Sequence, residues 1–344
     1  MKARMRSVKV SVTPTGLVVL FLGIALTAQA QPLTRTVIGY SAIQAPVVPL
    51  WLAEEQGLFK KYGVDPRLVF IRTTSVHMAG LISGQIDISY GGATGVLPTV
   101  GSGVDLKFIA TLSSRLTHVL VVRPEIQRPR DLQGKRVGVV SIGGTQWITT
   151  KLGLEHLELD EQRNAIRLLA IGDQSVLRTA LEAGSIEAAF LNGAMAEELK
   201  AKGFRVLVDL YGANIKTVGS GVIVKAAEIQ KSREPAMNVL KAVVEGLAFV
   251  KSPAHKSTVL KTLMNRLRLS DLSVAEEGYR YLQRDLDVSL VTPLEGLQNL
   301  QRVMRAYSPR LGDINVAQLI DNSFIKSLSE AGFLEKTFAA YGVK

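Results

Sequence analysis

The sequence predicts an α/β fold of two lobes, each with a mostly parallel sheet flanked by helices. Three observations support this prediction. The chain has 344 residues, which suits about two domains of roughly 100 to 200 residues each. Strand-like segments alternate with segments of helical length, as expected for a parallel sheet that is covered on both faces. The same order of segments also occurs twice along the chain, and repeated units indicate repeated lobes.

The internal repeat has an offset of 100 residues. The stretch "SGQIDISYGGATG", from Ser83, has a counterpart in "AGSIEAAFLNGA", from Ala183. The identical pairs at this offset are Val37 and Val137, Ser41 and Ser141, Ile71 and Ile171, Ser75 and Ser175, Val76 and Val176, Leu81 and Leu181, Gly84 and Gly184, and Ile86 and Ile186. The two copies are therefore expected to fold alike.

Each copy contains three strand-like runs in the same order. The first is "RTVIGY" or "GKRVGVV", followed by a loop of small residues and a stretch of helical length. The second is "RLVFI" or "IRLLAI", followed by a polar loop, an amphipathic helix and a glycine turn. The third is "IDISY" or "IEAAFL". This alternation predicts right-handed crossovers between parallel strands.

After Gly219 the pattern changes to a helical tail, which we expect to wrap around the first lobe. Ser232 is a candidate N-cap with Pro235 in the first turn. Residues 292–295, "TPLE", have the pattern of a capping box with Pro293 at the first helical position. These signals are structural, so the ligand contacts are expected upstream of the tail.

The first thirty residues have the pattern of a secretory signal peptide. A basic start contains Lys2, Arg4, Arg6 and Lys9. The apolar core "GLVVLFLGIALTA" has 13 residues, fewer than the roughly 20 that a spanning helix needs. Ala28 and Ala30 supply a cleavage site of small residues. We therefore predict export, with cleavage before Gln31.

Composition excludes several classes of protein. The chain has no cysteine, which excludes lipid attachment through cysteine, disulfides, thiolate catalysis and thiolate metal sites. Loss of the signal peptide would lower the formal net charge from +11 to +7. The basic stretch "EIQRPRDLQGKR" is a turn-rich loop without interleaved aromatic residues. Nucleic-acid binding is therefore not expected.

The loops that follow the predicted strands are polar and almost uncharged. They read "SAIQAP", "RTTS" and "YGGATG" in the first copy, and "SIGGTQ", "IGDQS" and "LNGAM" in the second, with Arg72 and Asp173 as the only charged residues. Ligands of open parallel sheets bind outside the carboxyl ends of the strands, where such loops gather. The sequence therefore predicts a cleft that binds a ligand and carries little that could do chemistry.

The turn from Ser141 to Thr145 has two interpretations. It can be an ordinary strand-to-helix turn that Thr145 caps. It can also present unsatisfied backbone N–H groups at a helix N-terminus to an anionic or polar ligand. Because Ser141 matches Ser41 of the other copy, we favour the second interpretation.

The other candidate groups are isolated. The four histidines, His77, His118, His156 and His255, have no metal-ligand spacing, so each is interpreted as a surface or satisfied core residue. No nucleophile elbow, phosphate-binding loop or dinucleotide fingerprint is present. Trp51 and Trp147 can face the cleft or pack helix against sheet. Arg115 is the one candidate charged contact, although a solvated hinge arginine is the favoured interpretation.

The stretches "IGYSAIQAPVVPLWLAEEQGLFKKYGVD", "LISGQIDISYGGATG", "DLQGKRVGVVSIGGT" and "LEAGSIEAAFLNG" together cover most of the chain after residue 30. In these stretches the sequence resembles type II periplasmic binding proteins, the substrate-binding components of ABC importers. It is most similar to the SsuA/THI5-like group, which binds sulfonates, taurine, nitrate and thiamine precursors. The resemblance implies a Venus-flytrap architecture in the periplasm, with no cofactor, no metal and no catalysis.

The resemblance also implies domain limits and contacts. Lobe I would comprise residues 33–115 and 220–344, lobe II residues 116–219, and the hinge would lie near 113–118 and 215–221. The ligand contacts carried over by position are Ser41, Ala42, Gln44, Thr73, Thr74, Ser75, Gly92, Ala93, Thr94, Ser114, Ser141, Gly143, Gly144, Thr145, Asn192 and Gly193. The expected partners are a small-molecule ligand and the permease subunits of an ABC transporter, and the protein is expected to be a monomer.

The ligand is less well defined than the family. The loops lack the arginine and acid pair with which amino-acid binders hold their ligand, which argues against an amino acid. A small organic sulfonate is the first choice because helix N-termini suit anions, followed by nitrate or a pyrimidine or thiamine precursor. The alternative functions are a same-fold enzyme of pyrimidine or cofactor biosynthesis and a ligand-sensing accessory protein.

Overall fold

The computed structural model describes residues 33–343. Within this range there are two β-sheets, both flanked by helices, which confirms the predicted fold class. The predicted signal peptide, residues 1–30, lies outside the described residues. No helix between residues 33 and 343 has the length and apolar character needed to cross a membrane.

The described range contains ten β-strands. They are β1 (Thr34–Tyr40), β2 (Val64–Phe70), β3 (Ile88–Gly91), β4 (Leu106–Arg115), β5 (Val119–Val122), β6 (Arg136–Val139), β7 (Arg167–Ala170), β8 (Ala188–Leu191), β9 (Arg205–Asp209) and β10 (Lys216–Lys225).

The α-helices alternate with most of the strands up to β10, and the helices after residue 231 follow one another in the tail. They are α1 (Val48–Glu55), α2 (Leu58–Lys61), α3 (Thr74–Ser83), α4 (Ala93–Val100), α5 (Thr145–His156), α6 (Gln174–Glu182), α7 (Gly193–Ala201), α8 (Leu210–Ala213), α9 (Ala226–Lys231), α10 (Glu234–Lys251), α11 (Lys256–Leu267), α12 (Leu272–Asp285), α13 (Leu294–Arg305), α14 (Ser323–Glu330) and α15 (Phe333–Ala340).

The two sheets have matching strand orders, β2-β1-β3-β10-β4 and β7-β6-β8-β5-β9. In the first, β1 pairs in parallel with β2 and β3, whereas β10 runs antiparallel to both of its neighbours. In the second, β5 takes the place of β10. Each sheet is therefore mixed, with four strands in one direction and one reversed.

The structure shows the internal repeat and corrects two of its pairs, Val37 with Val137 and Ser41 with Ser141, because the Ile71 N–H donates to the Tyr40 oxygen and the Ile171 N–H to the Val139 oxygen. Helices α3 and α6 begin at Thr74 and Gln174, one hundred positions apart. In the first strands, however, Ile38 lies opposite Leu68, whereas Val137 lies opposite Leu168. The structural counterpart of Val137 is therefore Ile38 and not Val37, because the second copy has one more residue between its first two strands.

The same shift makes Gly39 the counterpart of Gly138, and one packing constraint explains both glycines. A Cβ atom on Gly39 would lie 2.6 Å from the Cδ1 of Ile86, and one on Gly138 would lie 2.5 Å from the Cδ1 of Ile186. Real Cβ atoms do not approach other atoms this closely, so a larger residue at either position would displace the isoleucine before the third strand.

The tail packs against the first lobe, and its start signals are partly confirmed. Helix α10 contacts α1, where Gly246 lets the two backbones approach because its Cβ would lie 2.2 Å from the Pro49 oxygen. The N-cap residue of α10 is Arg233 and not the predicted Ser232, although the Ser232 Oγ accepts a hydrogen bond from the Glu234 N–H over 3.3 Å. Pro235 lies in the first turn as predicted. Trp51 is buried in the hydrophobic core between α1 and α10 and does not face the cleft.

The predicted capping box at residues 292–295 is wrong. Helix α13 begins at Leu294 with Pro293 as its N-cap residue, and it has no side-chain cap. The Thr292 hydroxyl lies 2.9 Å from the hydroxyl of Thr111 on β4 instead. The side chain is buried, so it satisfies its hydrogen bond across to the sheet.

Candidate functional site

A cavity of about 680 Å³ receives lining residues from the connections between strands of both sheets and from the tail. The contributing segments are the loop after β1, the passage from β4 to β5, the loops after β6, β7 and β8, the start of β10 and helix α12. Loops at the carboxyl ends of parallel strands are where open sheets bind ligands. This cavity is the candidate site.

Four of the predicted contacts line this cavity, namely Gln44, Ser141, Thr145 and Asn192. Thr94 lies beside it, since its Oγ1 is 3.4 Å from the Oγ1 of Thr145. The remaining predicted contacts are not among the lining residues, and they are Ser41, Ala42, Thr73, Thr74, Ser75, Gly92, Ala93, Ser114, Gly143, Gly144 and Gly193. These positions stay predictions.

Two of those positions have structural reasons of their own. A Cβ on Gly92 would lie 2.4 Å from the backbone oxygen of Gly219, so this glycine allows the turn to approach β10 closely. Ser114 is buried and donates from its Oγ to an Asp287 carboxylate oxygen over 2.5 Å. Both residues therefore have a role in packing whether or not a ligand reaches them.

The N-terminus of α5 opens toward the cavity. Its N-cap is Gly144, and no side chain of the described residues caps it, whereas Asp173 and Asn192 cap α6 and α7. Thr145 is the first helical residue and not the cap. Backbone N–H groups in the first turn of a helix lack intrahelical partners and carry partial positive charge. An anion in the cavity would be favoured here.

Gln146 fixes this turn. Its Oε1 accepts a hydrogen bond from the Val140 N–H over 3.0 Å, and its Nε2 donates to the Phe190 oxygen over 3.0 Å. The side chain therefore connects the end of β6 to β8, with both amide groups satisfied. The open helix end is held in place by a residue that the sequence did not single out.

Two connecting segments run side by side where the chain passes between the sheets. Arg115 pairs with Lys216 at the ends of β4 and β10, and the Leu116 N–H donates to the Ile215 oxygen over 3.0 Å. The Leu210 N–H donates to the His118 oxygen over 3.0 Å. Residues 115–118 also line the cavity, so the passage between the lobes forms its floor.

Arg115 lies in the passage between the lobes, as the favoured hinge interpretation expects, but it is only partly solvated and it also lines the cavity. Its side chain is 28% exposed and lines the cavity. The Nη2 lies 3.4 Å from the Asp287 carboxylate, and the guanidinium stands 5.5 Å above the Tyr211 ring. Its Nε is buried with no hydrogen-bond partner in the described range. A buried donor of this kind suits a ligand oxygen.

Asp285 lies on the cavity wall next to this passage. It is 3% exposed, and it accepts hydrogen bonds from the Ser113 Oγ over 2.5 Å and the Thr117 Oγ1 over 3.1 Å. Burial raises the pKa of Asp285, although the hydroxyl donors oppose this shift. The carboxylate is thus held by the protein's own hydroxyls, and it does not require a ligand cation.

His118 is a half-buried cavity residue that the sequence did not distinguish from an ordinary surface or core histidine. Burial lowers the pKa of His118 to about 4, so the ring is neutral at physiological pH. Its Nδ1 is buried and has no hydrogen-bond partner within residues 33–343. No cluster of three potential metal-ligating side chains occurs in the described part of the chain.

Helix α12 forms one wall of the cavity, so the expectation that the tail contributes no lining residue is wrong. Its lining residues are Val274, Glu277, Gly278, Tyr281 and Asp285. Their spacing places them on one face of the helix. The sequence pattern of α12 is that of any amphipathic helix, so nothing in it separates a cleft wall from a face packed on the core.

Other contacts connect the two lobes beside the cavity. The Trp147 and Tyr307 rings meet edge to face with centroids 6.3 Å apart. Arg302 pairs with Glu155 over 2.6 Å, and Arg284 pairs with Asp209 over 2.5 Å. Trp147 is otherwise buried and does not line the cavity. The lobes therefore touch at several points around the cleft.

Comparison with known proteins agrees with this architecture. The structure is similar to a periplasmic sulfonate-binding protein SsuA from Methylobacillus flagellatus KT, with a TM-score of 0.70 and 17% identity over 88% of this chain and 96% of that one. It is also similar to the aliphatic sulphonate binding protein SsuA from Escherichia coli, with a TM-score of 0.67 and 19% identity over 83% and 92% of the two chains.

A third similar structure is the periplasmic nitrate-binding protein NrtA from Synechocystis PCC 6803, with a TM-score of 0.63 and 12% identity over 87% and 89% of the two chains. No curated protein sequence matches the chain. The fold is thus the two-lobed fold of periplasmic binding proteins. The sequence profile described as "NMT1/THI5 like" matches residues 44–255, more than half of the chain, and the protein belongs to this family.

Proposed function

We propose that the protein is the substrate-binding component of an ABC importer and that it binds a small organic anion, with a sulfonate as the first choice. The observation that carries this proposal is the open N-terminus of α5 at a cavity that both lobes line. Sulfonate and nitrate are named for the binding proteins of similar structure.

The lining carries the carboxyl groups of Glu277 and Asp285 as well as one guanidinium, and the support for an anion comes from Arg115 and the end of α5. Arg115 is the cationic side chain of the described cavity lining, and its buried Nε is available to a ligand oxygen. The hydroxyls of Ser141, Thr145 and Thr149 stand near the first turn of α5. A helix N-terminus with nearby hydroxyls binds anions through backbone N–H groups and its dipole.

The size of the cavity supports an organic ligand over nitrate. A volume of about 680 Å³ falls in the range of roughly 300 to 1,000 Å³ found for sites of drug-sized molecules. Nitrate has four heavy atoms and would leave most of this space to water. We therefore rank an organic sulfonate before nitrate, with a pyrimidine or thiamine precursor as the remaining candidate.

The cavity supports binding without turnover. The chain has no cysteine, and the Nδ1 of His118 has no hydrogen-bond partner in the described range that could orient the ring. Nucleophilic catalysis needs a nucleophile and a base within hydrogen-bond reach. We expect nuclear magnetic resonance to show that a ligand stays unchanged during prolonged incubation with the protein. A new product would favour a same-fold enzyme.

We further propose that the protein is exported, cleaved before Gln31 and active in the periplasm, where the closed form would deliver ligand to a permease. N-terminal sequencing of the protein from the periplasmic fraction is expected to begin at Gln31. A mature protein that begins at Met1 would contradict this proposal.

The ligand proposal is tested on exported protein that has been unfolded, freed of ligand and refolded. Ethanesulfonate, butanesulfonate, nitrate, acetate and a pyrimidine are compared by thermal shift and calorimetry. A ligand at 100 times its Kd stabilises the native state by about 2.7 kcal/mol. We expect the sulfonates to raise the melting temperature most, and no shift with any anion at millimolar concentration would overturn the proposal.

The same experiment includes two variants. Arg115→Gln removes the cationic side chain and is expected to weaken sulfonate binding by at least tenfold, because a buried hydrogen bond to a charged group is lost. Arg128→Gln is the matched control, since Arg128 lies on an exposed loop and pairs with Asp131 outside the cavity. Equal affinity of both variants would remove Arg115 from the site.

A further inference from the structure

Gln174 is a cavity residue that is not among the contacts predicted from the sequence. It is the first residue of α6, and its partly exposed side chain lines the cavity. Asp173 already caps this helix, because its carboxylate accepts hydrogen bonds from the Ser175 and Val176 N–H groups. The Gln174 side chain therefore has no capping role in α6.

One hydrogen bond fixes the orientation of the Gln174 amide. The Asn192 backbone N–H donates to the Gln174 Oε1 over 2.9 Å. Because a backbone N–H can only donate, the amide oxygen faces Asn192, and the Nε2 group with its two N–H donors is directed elsewhere. The end of β8 thus holds the side chain with its donors in a defined direction.

The Nε2 group of Gln174 remains available to a ligand. It has no hydrogen-bond partner in the described range, and it is not sealed in the interior. The amide of Gln146, by contrast, accepts from Val140 and donates to Phe190. Gln146 is therefore saturated by the protein, whereas Gln174 keeps an oriented donor at the cavity surface. A pre-oriented donor loses little conformational freedom when a ligand binds to it.

The same position of the internal repeat differs between the two copies. Thr74, the first residue of α3, corresponds to Gln174. Its methyl group packs on α4, since a Cβ on Gly95 would lie 2.5 Å from the Thr74 Cγ2. Thr74 does not line the cavity, whereas Gln174 does. The second copy therefore carries a donor where the first copy carries a packing residue.

The charges of the lining favour an oxygen acceptor on the side of Gln174. Both carboxyl groups of the lining, Glu277 and Asp285, belong to α12 in the tail. The loops after β6, β7 and β8 contribute only uncharged lining residues, namely Val140, Ser141, Thr145, Gln146, Thr149, Gln174 and Asn192. An anion against this part of the cavity meets donors and no carboxylate of the described lining.

We infer that Gln174 is a ligand-binding residue whose Nε2 donates a hydrogen bond to an oxygen of the bound anion, while its Oε1 stays on the Asn192 N–H. This inference rests on the proposed function. It assigns to the start of α6 a residue that selects for a ligand with an acceptor at this position and against one with a donor.

Two variants separate the donor from the rest of the side chain, and butanesulfonate is the probe in calorimetry on exported, ligand-free protein. Gln174→Glu keeps an oxygen for the Asn192 N–H and replaces the donor by a second oxygen, so it is expected to weaken binding at least about 30-fold. Gln174→Met keeps the length without the amide and is expected to weaken binding about tenfold, because a hydrogen bond to a charged group is lost.

Gln133→Glu is the matched control, since Gln133 is an exposed residue of the same lobe outside the lining. It introduces the same charge and is expected to leave affinity within about twofold of wild type. Circular dichroism and melting temperature confirm that each variant folds. A glutamate in the first turn of α6 suits the helix dipole, so Gln174→Glu is not expected to lower stability.

The pH profile of Gln174→Glu identifies the donor. A protonated carboxyl group can donate to the anion, so the affinity deficit relative to wild type is expected to shrink at least about threefold between pH 7 and pH 5, toward the roughly 4.3 of an ordinary glutamate. His118, with a pKa of about 4, stays neutral over this range. Asp173, Glu277 and Asp285 are present in both proteins, as is Arg115, so their titration cancels in the ratio.

The outcomes separate this inference from the proposed function. If wild type binds butanesulfonate and both Gln174 variants bind it equally well, the inference is wrong while the proposed function stands. An equal loss in Gln133→Glu, or a deficit in Gln174→Glu that does not change with pH, would also overturn the inference. If wild type binds no anion, the proposed function fails and the inference fails with it.

Discussion

The hydroxyl oxygens of Thr94 and Thr145 lie 3.4 Å apart across the two lobes. Thr94 is near the start of α4, after β3, and Thr145 begins α5, after β6. The two residues therefore join corresponding edges of the two sheets, where the loops at the carboxyl ends of the strands meet. Thr145 also lines the cavity, so this contact marks the edge of the cleft.

A disulfide at this position is expected to lock the lobes together. The double variant Thr94→Cys with Thr145→Cys would place two sulfur atoms near the hydroxyl positions, and a small shift would bring them to the roughly 2.05 Å of an S–S bond. The chain has no other cysteine to compete. We expect the oxidised protein to release bound ligand at least about tenfold more slowly than the reduced form, because opening is blocked.

Thiol titration checks whether the bond forms, and stopped-flow displacement measures release. Each single cysteine variant serves as a control for loss of the threonine hydroxyl. Free thiols that persist under oxidising conditions, or release that is independent of redox state, would show that these residues do not meet in solution.

Tryptophan fluorescence is expected to report the state of the cleft through Trp147 alone. The ring centroids of Trp147 and Tyr307 of the tail are 6.3 Å apart, whereas Trp51 is 1% exposed in the core between α1 and α10. These are the two tryptophans of the chain. The Trp147→Phe variant should lose the ligand-dependent change in emission, and Trp51→Phe should keep it. The reverse assignment would contradict a lobe contact at Tyr307.

Gly92 and Gly193 are expected to respond differently to alanine. A Cβ on Gly92 would lie 2.4 Å from the Gly219 oxygen, whereas one on Gly193 meets no atom within 4 Å. Gly92→Ala should lower the free energy of unfolding by about 1 to 3 kcal/mol through overpacking. Gly193→Ala should leave stability within about 0.5 kcal/mol, so a loss of ligand affinity in this variant would report contact with the ligand. Urea titration and calorimetry measure the two quantities.

Glu245 is expected to stabilise the first lobe in a pH-dependent way. The carboxylate is 4% exposed, lies 2.7 Å from the Lys61 Nζ, and accepts hydrogen bonds from the hydroxyls of Tyr62 and Tyr341. Burial alone would raise the pKa of Glu245, but Lys61 and the two tyrosines outweigh it and lower the pKa. Glu245→Ala should lower the free energy of unfolding by about 2 kcal/mol at pH 7, because the half-buried hydroxyls of Tyr62 and Tyr341 lose a charged acceptor, whereas the Lys61 ammonium is 56% exposed and can be solvated.

The sign of the pH dependence follows from the lowered pKa. The contribution of the carboxylate is fully present above its unfolded pKa of roughly 4.3, and it is lost as the pH falls through the lower folded value. The stability difference between wild type and Glu245→Ala should therefore shrink below about pH 4. Tyr341→Phe, which removes one hydroxyl, is the milder control at about 1 kcal/mol. A difference that grows on acidification would contradict this account.

Local patterns were sufficient for the order of elements. The repeat predicted that α3 and α6 would start after corresponding strands, and they do so at Thr74 and Gln174. Strand propensity and helical spacing act over a few residues, so they are readable without a structure. The repeat also placed Ser141 and Thr145 at a strand-to-helix turn, and both line the cavity.

The rest of the site depends on chain segments that are distant in sequence. Glu277, Tyr281 and Asp285 line the cavity because α12 packs back beside the passage between the lobes. An amphipathic pattern states that a helix has an apolar face, and it does not state which neighbour covers that face. For the same reason the capping box predicted at Thr292 did not form, since Thr111 on β4 supplies a competing hydrogen bond.

The sequence by itself determined the α/β class, the duplicated unit and the polar turns after the strands, because these follow from local propensity and internal similarity. Only the tertiary structure decided that Arg115 faces the cavity and that Gly92 supports the close approach of β10. It also decided that α12 forms a cavity wall. These features arise from packing between segments far apart in the chain, where the free energy of burial and hydrogen bonding selects one arrangement among many that local patterns allow.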